Sequence, residues 1–208
     1  MKPRFPIFAT IVVALAIAAM VALGVWQLQR RHQKEALIAL FAANIGKPAM
    51  AFPEIGPVPD EAMFRQSSAQ CLKVTGWQSG SGRDVLGNPG ILYIALCQTG
   101  AEGPGFLAAM GISDRPNLKP EWTGGAVSGM IVTEPNRYSV IERAIGVTPV
   151  LNPMLVAQAP PPGMRAVAKP SPDDVPNNHL SYAVQWFLFA AAAAVIYGLA
   201  LRKRLGGN

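Results

Sequence analysis

Pro176-Asn177-Asn178-His179-Leu180-Ser181-Tyr182-Ala183-Val184-Gln185-Trp186-Phe187 opens an apolar run that continues to Leu201 and stops at Arg202-Lys203-Arg204. From Leu180 to Leu201 a helix would be roughly 33 Å long at ~1.5 Å per residue, enough to cross a bilayer. The polar residues stand at its entrance. Pro176 blocks any preceding helix, and Asn177 or Asn178 is placed to cap the new one by accepting a backbone N–H. His179 then falls in the first turn, at the boundary between water and lipid.

A second apolar run lies at the other end. Phe5 to Leu28 is interrupted only by Thr10 and Gln27 among larger polar residues. The rival reading is a secretory signal cut at Ala16-Ile17-Ala18. Signal cores run only ~7–15 residues, whereas this one continues to Trp26. Basic residues set the orientation. Arg202, Lys203 and Arg204 follow the second run, and Asp173 and Asp174 precede it, so its C-terminal end is expected to be cytoplasmic. Around the first run Lys2 and Arg4 compete with Arg30, Arg31 and Lys34. Two spans put both termini on one side, so the second decides. The middle is then expected in the periplasm of a bacterial inner membrane.

The chain has 208 residues, half of them apolar, and a formal charge of +6. Eight of its 18 basic residues flank the two apolar runs; setting these and Glu35 aside leaves 10 bases and 11 acids, so the rest of the chain is close to neutral. The high pI therefore reports membrane flanks, and a nucleic-acid surface is not expected. Cys71 and Cys97 are too few for a disulfide framework or a thiolate metal cage. An oxidising compartment would allow them to pair, and nothing in the sequence forces it.

Between the runs, Leu37, Leu40, Phe41 and Asn44 share one helical face, and Gly46 and Pro48 end that helix. Ala51 to Asp60 is Pro- and Gly-rich and reads as a linker. From Phe64 to Lys169 short apolar segments alternate with turn formers. The segments are Gln70–Trp77, Ile91–Gln98, Phe106–Ile112, Ala126–Thr133, Met154–Ala157 and Met164–Ala168. The turn formers include Ser79-Gly80-Ser81-Gly82, Gly87-Asn88-Pro89-Gly90 and Pro160-Pro161-Pro162-Gly163. A helix is expected at Tyr138–Ile145. The expected architecture is two transmembrane α-helices flanking a small antiparallel, β-rich, barrel-like extracytoplasmic domain. Its expected divisions are a cytoplasmic terminus 1–4, a span 5–28, a membrane-proximal helix and linker 29–63, the periplasmic domain 64–179, a span 180–201 and a cytoplasmic tail 202–208.

Both ends carry motifs. Leu23-Gly24-Val25-Trp26-Gln27-Leu28-Gln29-Arg30 follows the first run, and Asn177-Asn178-His179, Tyr182-Ala183 and Trp186-Phe187 open the second. In this the chain resembles the surfeit locus protein 1 family, assembly factors for haem–copper cytochrome oxidases. The middle departs from that family's Val-Asn-Arg-Gly-Trp-Val-Pro segment, since only Gly111 of Ala109–Pro116 corresponds. The resemblance implies a non-enzymatic factor that binds haem a transiently, with His179 as the iron ligand. Its partners would be the large oxidase subunit and haem a synthase, beside the lipid bilayer.

Elementary chemistry is compatible with that ligand. Neutral imidazole is a good iron donor. Tyr182 and Trp186, at i+3 and i+7 from His179, would pack on a macrocycle. The plain alternative is an interfacial histidine. Trp26 and Trp186 read first as an aromatic belt. Gln27 and Gln185 are amides in hydrocarbon, and a hydrogen bond between helices, worth about 0.6–2 kcal/mol, would dock the spans beside the haem. Arg30, with Arg31 and Lys34, would meet haem propionates or else lipid headgroups. His32 reads as a surface residue. A membrane-tethered hydrolase is disfavoured, because the sequence has two histidines, both beside the spans, and neither a Gly-x-Ser-x-Gly nor a His-Glu-x-x-His motif. A membrane-anchored interaction module that binds no haem is the other alternative.

Overall fold

A computed structural model describes residues 5–53, 56–100, 105–136, 139 and 150–206. The helix expected at Tyr138–Ile145 lies outside the described residues. The elements are α1 (Ile7–Ile45), β1 (Met50–Ala51), β2 (Gln66–Cys71), β3 (Lys73–Arg83), β4 (Pro89–Gln98), β5 (Phe106–Ser113), β6 (Gly125–Thr133), β7 (Pro153–Ala157) and α2 (His179–Gly206), with a 3-10 turn at Pro172–Asp174 before α2. They form two units. Met1–Leu37 and Pro176–Asn208 make a helical unit, and Ile38–Val175 makes a sheet unit.

The sheet has seven strands in the order β1-β2-β6-β7-β5-β4-β3. It is mixed, which corrects the antiparallel, barrel-like expectation. β1 pairs with β2, and β5 with β7, in parallel; the other four pairings are antiparallel. The cause is the path after β5. The chain crosses to lay β6 two places away, and β7 returns into the gap, antiparallel to β6 and hence parallel to β5. Among the described residues no ladder joins β1 to β3, so the sheet is open at both edges.

A single residue, Leu72, separates β2 from β3, yet these strands stand near opposite ends of the order. The sheet therefore curls until the end of β2 meets β4. There the Leu72 N–H donates to the Gln98 carbonyl at 2.9 Å. Beside it Cys71 and Cys97 form a disulfide, with Cα atoms 5.1 Å apart and both residues buried. The strand expected at Gln70–Trp77 thus spans two elements joined at this corner. The Ser79–Gly82 stretch, read as a turn, lies within β3. Its glycine has a packing reason, since a Cβ on Gly82 would lie 2.7 Å from Ile112 Cδ1. Met164–Ala168 makes only isolated bridges, Arg165 with Ile112 and Val167 with Asp84.

Strands β5 and β7 lie inside the sheet and are buried almost throughout. This explains their unbroken apolar sequences, since residues pointing to either face meet apolar neighbours. Ala108, Met110 and Leu155 join the cluster around Phe52 and Ile131, while Ala109 and Val156 join one around Ile94 and Ile112. The expected linker therefore contributes to the core through Phe52.

The last residues of α1 are fixed to this unit. Asn44 is fully buried, and its Nδ2 donates to the Asp60 and Met63 carbonyls at 2.8 and 3.0 Å. Lys47 Nζ donates to its Oδ1 at 2.7 Å, and the rings of Phe41 and Phe64 lie 5.3 Å apart. Each polar atom of this buried amide is thereby satisfied.

Asp84, 2% exposed, organises the β3–β4 turn. Its Oδ1 accepts from the Leu86 and Asn88 N–H groups, both at 2.9 Å. Its Oδ2 accepts from Asn88 Nδ2 at 3.1 Å and Arg165 Nη1 at 2.6 Å. Burial pushes the carboxyl pKa up, but the hydrogen bonds from Asn88 and Leu86 and the Arg165 charge outweigh it, and the net shift is downward from 3.8. A lowered folded pKa stabilises fully above the ordinary value and is lost as pH falls through the lowered one. Asp84→Asn should therefore lower the Tm at neutral pH, and its deficit should shrink in acid below the ordinary aspartate range. Thermal melts of both proteins across that range check this.

The disulfide closes a separation of 26 residues. Cys71→Ala should cost about 3 kcal/mol, the magnitude of an entropic crosslink of that span. Denaturant titration should show a lowered midpoint, and a reductant should move the native protein to match.

Candidate functional site

The helical unit is held by a seam of repeating residues. On α1, Thr10, Val13, Ile17, Met20, Gly24, Gln27 and Arg31 are shielded while most of their neighbours are exposed. On α2 the shielded positions include His179, Ala183, Trp186, Ala190, Ala193 and Tyr197. Steps alternate between three and four residues, the spacing of two helices wound gently around each other. The outward faces are apolar, with Ile7, Phe8, Leu15, Leu188, Phe189 and Ile196 all more than half exposed. Both helices are long and apolar enough to cross a membrane, and the protein is membrane-anchored.

Three contacts give the register, and they run antiparallel. Near one end Thr10 Oγ1 and the Tyr197 hydroxyl share a hydrogen bond of 2.6 Å. Gly24 faces Phe187, and a Cβ on Gly24 would lie only 2.6 Å from Phe187 Cε1. At the other end Gln27 Oε1 lies 2.7 Å from His179 Nδ1. With no strong hydrophobic drive between helices in lipid, small residues that permit close packing and polar pairs that hydrogen-bond determine such a seam.

His179 is the first residue of α2 and half-buried. The Asn178 carbonyl accepts from the Tyr182 N–H at 3.3 Å and from Ser181 Oγ at 2.8 Å. Asn178 therefore opens the helix through its backbone. Among the described residues neither asparagine side chain accepts the capping bond, and Asn177 Oδ1 is buried without a partner. Gln27 Oε1 is an acceptor, and the role of Nδ1 beside it follows the ring's tautomer. No described residue hydrogen-bonds to Nε2.

The remaining expected residues are dispersed around this pair. Trp26 is 47% exposed, with the Arg30 guanidinium 5.7 Å from its ring centroid. Arg30 Nη1 also donates to Gln33 Oε1 at 3.0 Å. Tyr182 is 51% exposed. Trp186 is half-buried and meets Phe189 edge-on at 6.3 Å. Gln185 is exposed, and among the described residues it makes no hydrogen bond. Of the two glutamines expected to dock the spans, Gln27 makes an interhelical bond, to His179, and Gln185 makes none among the described residues. The reason is rotational, because Gln185 lies off the three–four seam and His179 lies on it. Arg31 pairs with Glu35 at 2.7 Å, and His32 is 78% exposed beside the same carboxylate.

Reading the sequence missed two seam contacts, Gly24 against Phe187 and Thr10 with Tyr197. The three–four spacing of Thr10, Val13, Ile17, Met20, Gly24 and Gln27 was the available signal. Within a run apolar on all sides it does not stand out.

Gly24→Leu should push the helices apart. Overpacking of this kind costs about 1–3 kcal/mol. Cysteines replacing Thr10 and Tyr197 should then crosslink through a short bis-maleimide roughly tenfold less than on the glycine background, tenfold being ~1.4 kcal/mol. Gel analysis in membranes measures it.

The model of the SURF1 family matches residues 14–191 of the chain. The matched stretch includes both motifs and the whole sheet unit. No curated protein matches the chain.

Proposed function

The chain belongs to the SURF1 family, and on that premise we propose that it holds haem a transiently through His179 and presents it to the large subunit of a haem–copper cytochrome c oxidase. The family is associated with cytochrome oxidase assembly and is one of assembly factors rather than catalysts. The single observation that carries the finer reading is the 2.7 Å contact of Gln27 with His179 Nδ1. It joins one residue from each family motif and leaves Nε2 of a neutral ring as the donor a porphyrin iron takes.

Side chains close to Gln27 and His179 along the same two helices suit such a group. Trp26, Tyr182 and Trp186 offer aromatic surface, and Arg30 offers a cation for a carboxylate. When bound, haem a would supply the redox-active iron that the oxidase needs. The protein's part is to bind and orient it. In this reading the helices sit in a bacterial inner membrane with both termini cytoplasmic. Lys203 and Arg204 in the last turn of α2 support that orientation. The sheet unit would face the periplasm, where its disulfide is at home. Haem a synthase, upstream of the oxidase subunit, would be the second partner.

The test is an absorbance spectrum of protein purified from cells that make haem a. The wild type should carry haem, and His179→Ala should lose it by roughly tenfold or more, since loss of even an outer-shell partner of a ligand costs about 10–100-fold in affinity. Equal haem in both would remove His179 from the site. No haem in either would leave a membrane-anchored interaction module for oxidase assembly.

A further inference from the structure

We propose that Gln27 is a positioning residue for His179, fixing its neutral ring as the Nδ1–H tautomer and so reserving Nε2 as the free donor. What Nε2 then binds rests on the haem reading above, whereas the place of the proton does not.

The geometry is specific. Nδ1 lies 2.7 Å from Gln27 Oε1, an atom that accepts and cannot donate. Where one ring nitrogen makes a hydrogen bond, that bond decides which nitrogen is protonated. Histidines that ligate metals recurrently donate their other N–H to a fixed oxygen, which sets ring orientation and raises donor strength. Here that oxygen comes from the other helix, 152 positions away in sequence. An amide fills the role without adding a charge to the half-buried seam.

The acceptor is held from two directions. Gln27 stands one step along the seam from Gly24, whose missing side chain lets α1 approach Phe187 of α2. Thr10 and Tyr197 pin the far end of the same seam. Moving the glutamine by one position along α1 would turn its side chain away from the ring by about 100°. The Leu-Gly-x-Trp-Gln and Asn-Asn-His motifs therefore act together. The first supplies the close approach and the acceptor, and the second supplies the ring at the start of its helix.

Only His32 and His179 occur in the chain. A His32→Gln background, altering an exposed residue, leaves a single histidine signal. Nitrogen-15 NMR of this haem-free protein in lipid nanodiscs, about two pH units above the ordinary histidine value of ~6.5, reads the tautomer directly. The proton is expected on Nδ1, with Nε2 bare. Gln27→Leu should move the tautomer ratio toward Nε2–H by about tenfold, a change on the order of one hydrogen bond. Gln27→Glu, which keeps an acceptor, should retain Nδ1–H.

A wild-type proton on Nε2 overturns the inference, whether or not haem binds. So does an unchanged ratio in Gln27→Leu. Should that variant lose the Thr10–Tyr197 crosslink, the wild-type and Gln27→Glu spectra decide alone. Nδ1–H in the wild type without any haem uptake would uphold this inference and sink the haem reading.

Discussion

The helical unit depends on one hydrogen bond between its two helices, joining His179 Nδ1 at the start of α2 to the Gln27 Oε1 acceptor on α1. Two amphipathic partners in water could find each other by burying apolar surface. Two helices that are apolar on every side have no such guide in lipid. What remains is shape and polarity. Gly24 opposite Phe187 provides the shape, while Thr10 with Tyr197 and Gln27 with His179 provide the polarity. Each contact fits one register of the antiparallel pair, and the three agree.

The sheet unit solves a different problem. A strand that turns a corner at Leu72 must supply both β2 and β3, so the sheet has to curl back on itself. The Cys71–Cys97 disulfide sits at that corner and locks the curl where no ladder does. Asp84 plays a comparable part at the other end of β3. Its buried carboxylate ties the β3–β4 turn to Arg165, whose second Nη donates to Asp114 at 2.5 Å. All four hydrogen bonds to this buried carboxylate come from the turn and from Arg165, so its desolvation is met by partners on both sides of the turn. Asn44 applies the same logic to the end of α1, where each polar atom of a buried amide has a partner.

Much of this was legible in the chain. The two rods follow from the apolar runs and their basic flanks. The segments Ile91–Gln98, Phe106–Ile112, Ala126–Thr133 and Met154–Ala157 correspond to β4 to β7 with small shifts at their ends. His179 and Gln27 both stand out as polar residues at the ends of apolar runs. What failed was pairing. Gly80 and Gly82 carry the local signature of a turn because glycine favours turns, yet they lie within β3 and Gly82 admits Ile112. Parallel contact between β5 and β7 has no local signature, since the residues that decide it lie beyond the intervening strand.

By itself, the sequence determined the two long helices, the strands β4 to β7, where the membrane-length runs stop and which polar residues stand at their mouths. Those features depend on neighbours within a few positions along the chain: periodicity, capping, turn chemistry and charge. Only the tertiary structure decided that Gln27 meets His179 and not Gln185, that Cys71 bonds Cys97, and that β7 enters between β5 and β6. Each of these is a choice of partner across tens to more than a hundred residues. Such a choice is made by the register and rotation of whole elements, which a one-residue slip would change while leaving every local signal intact.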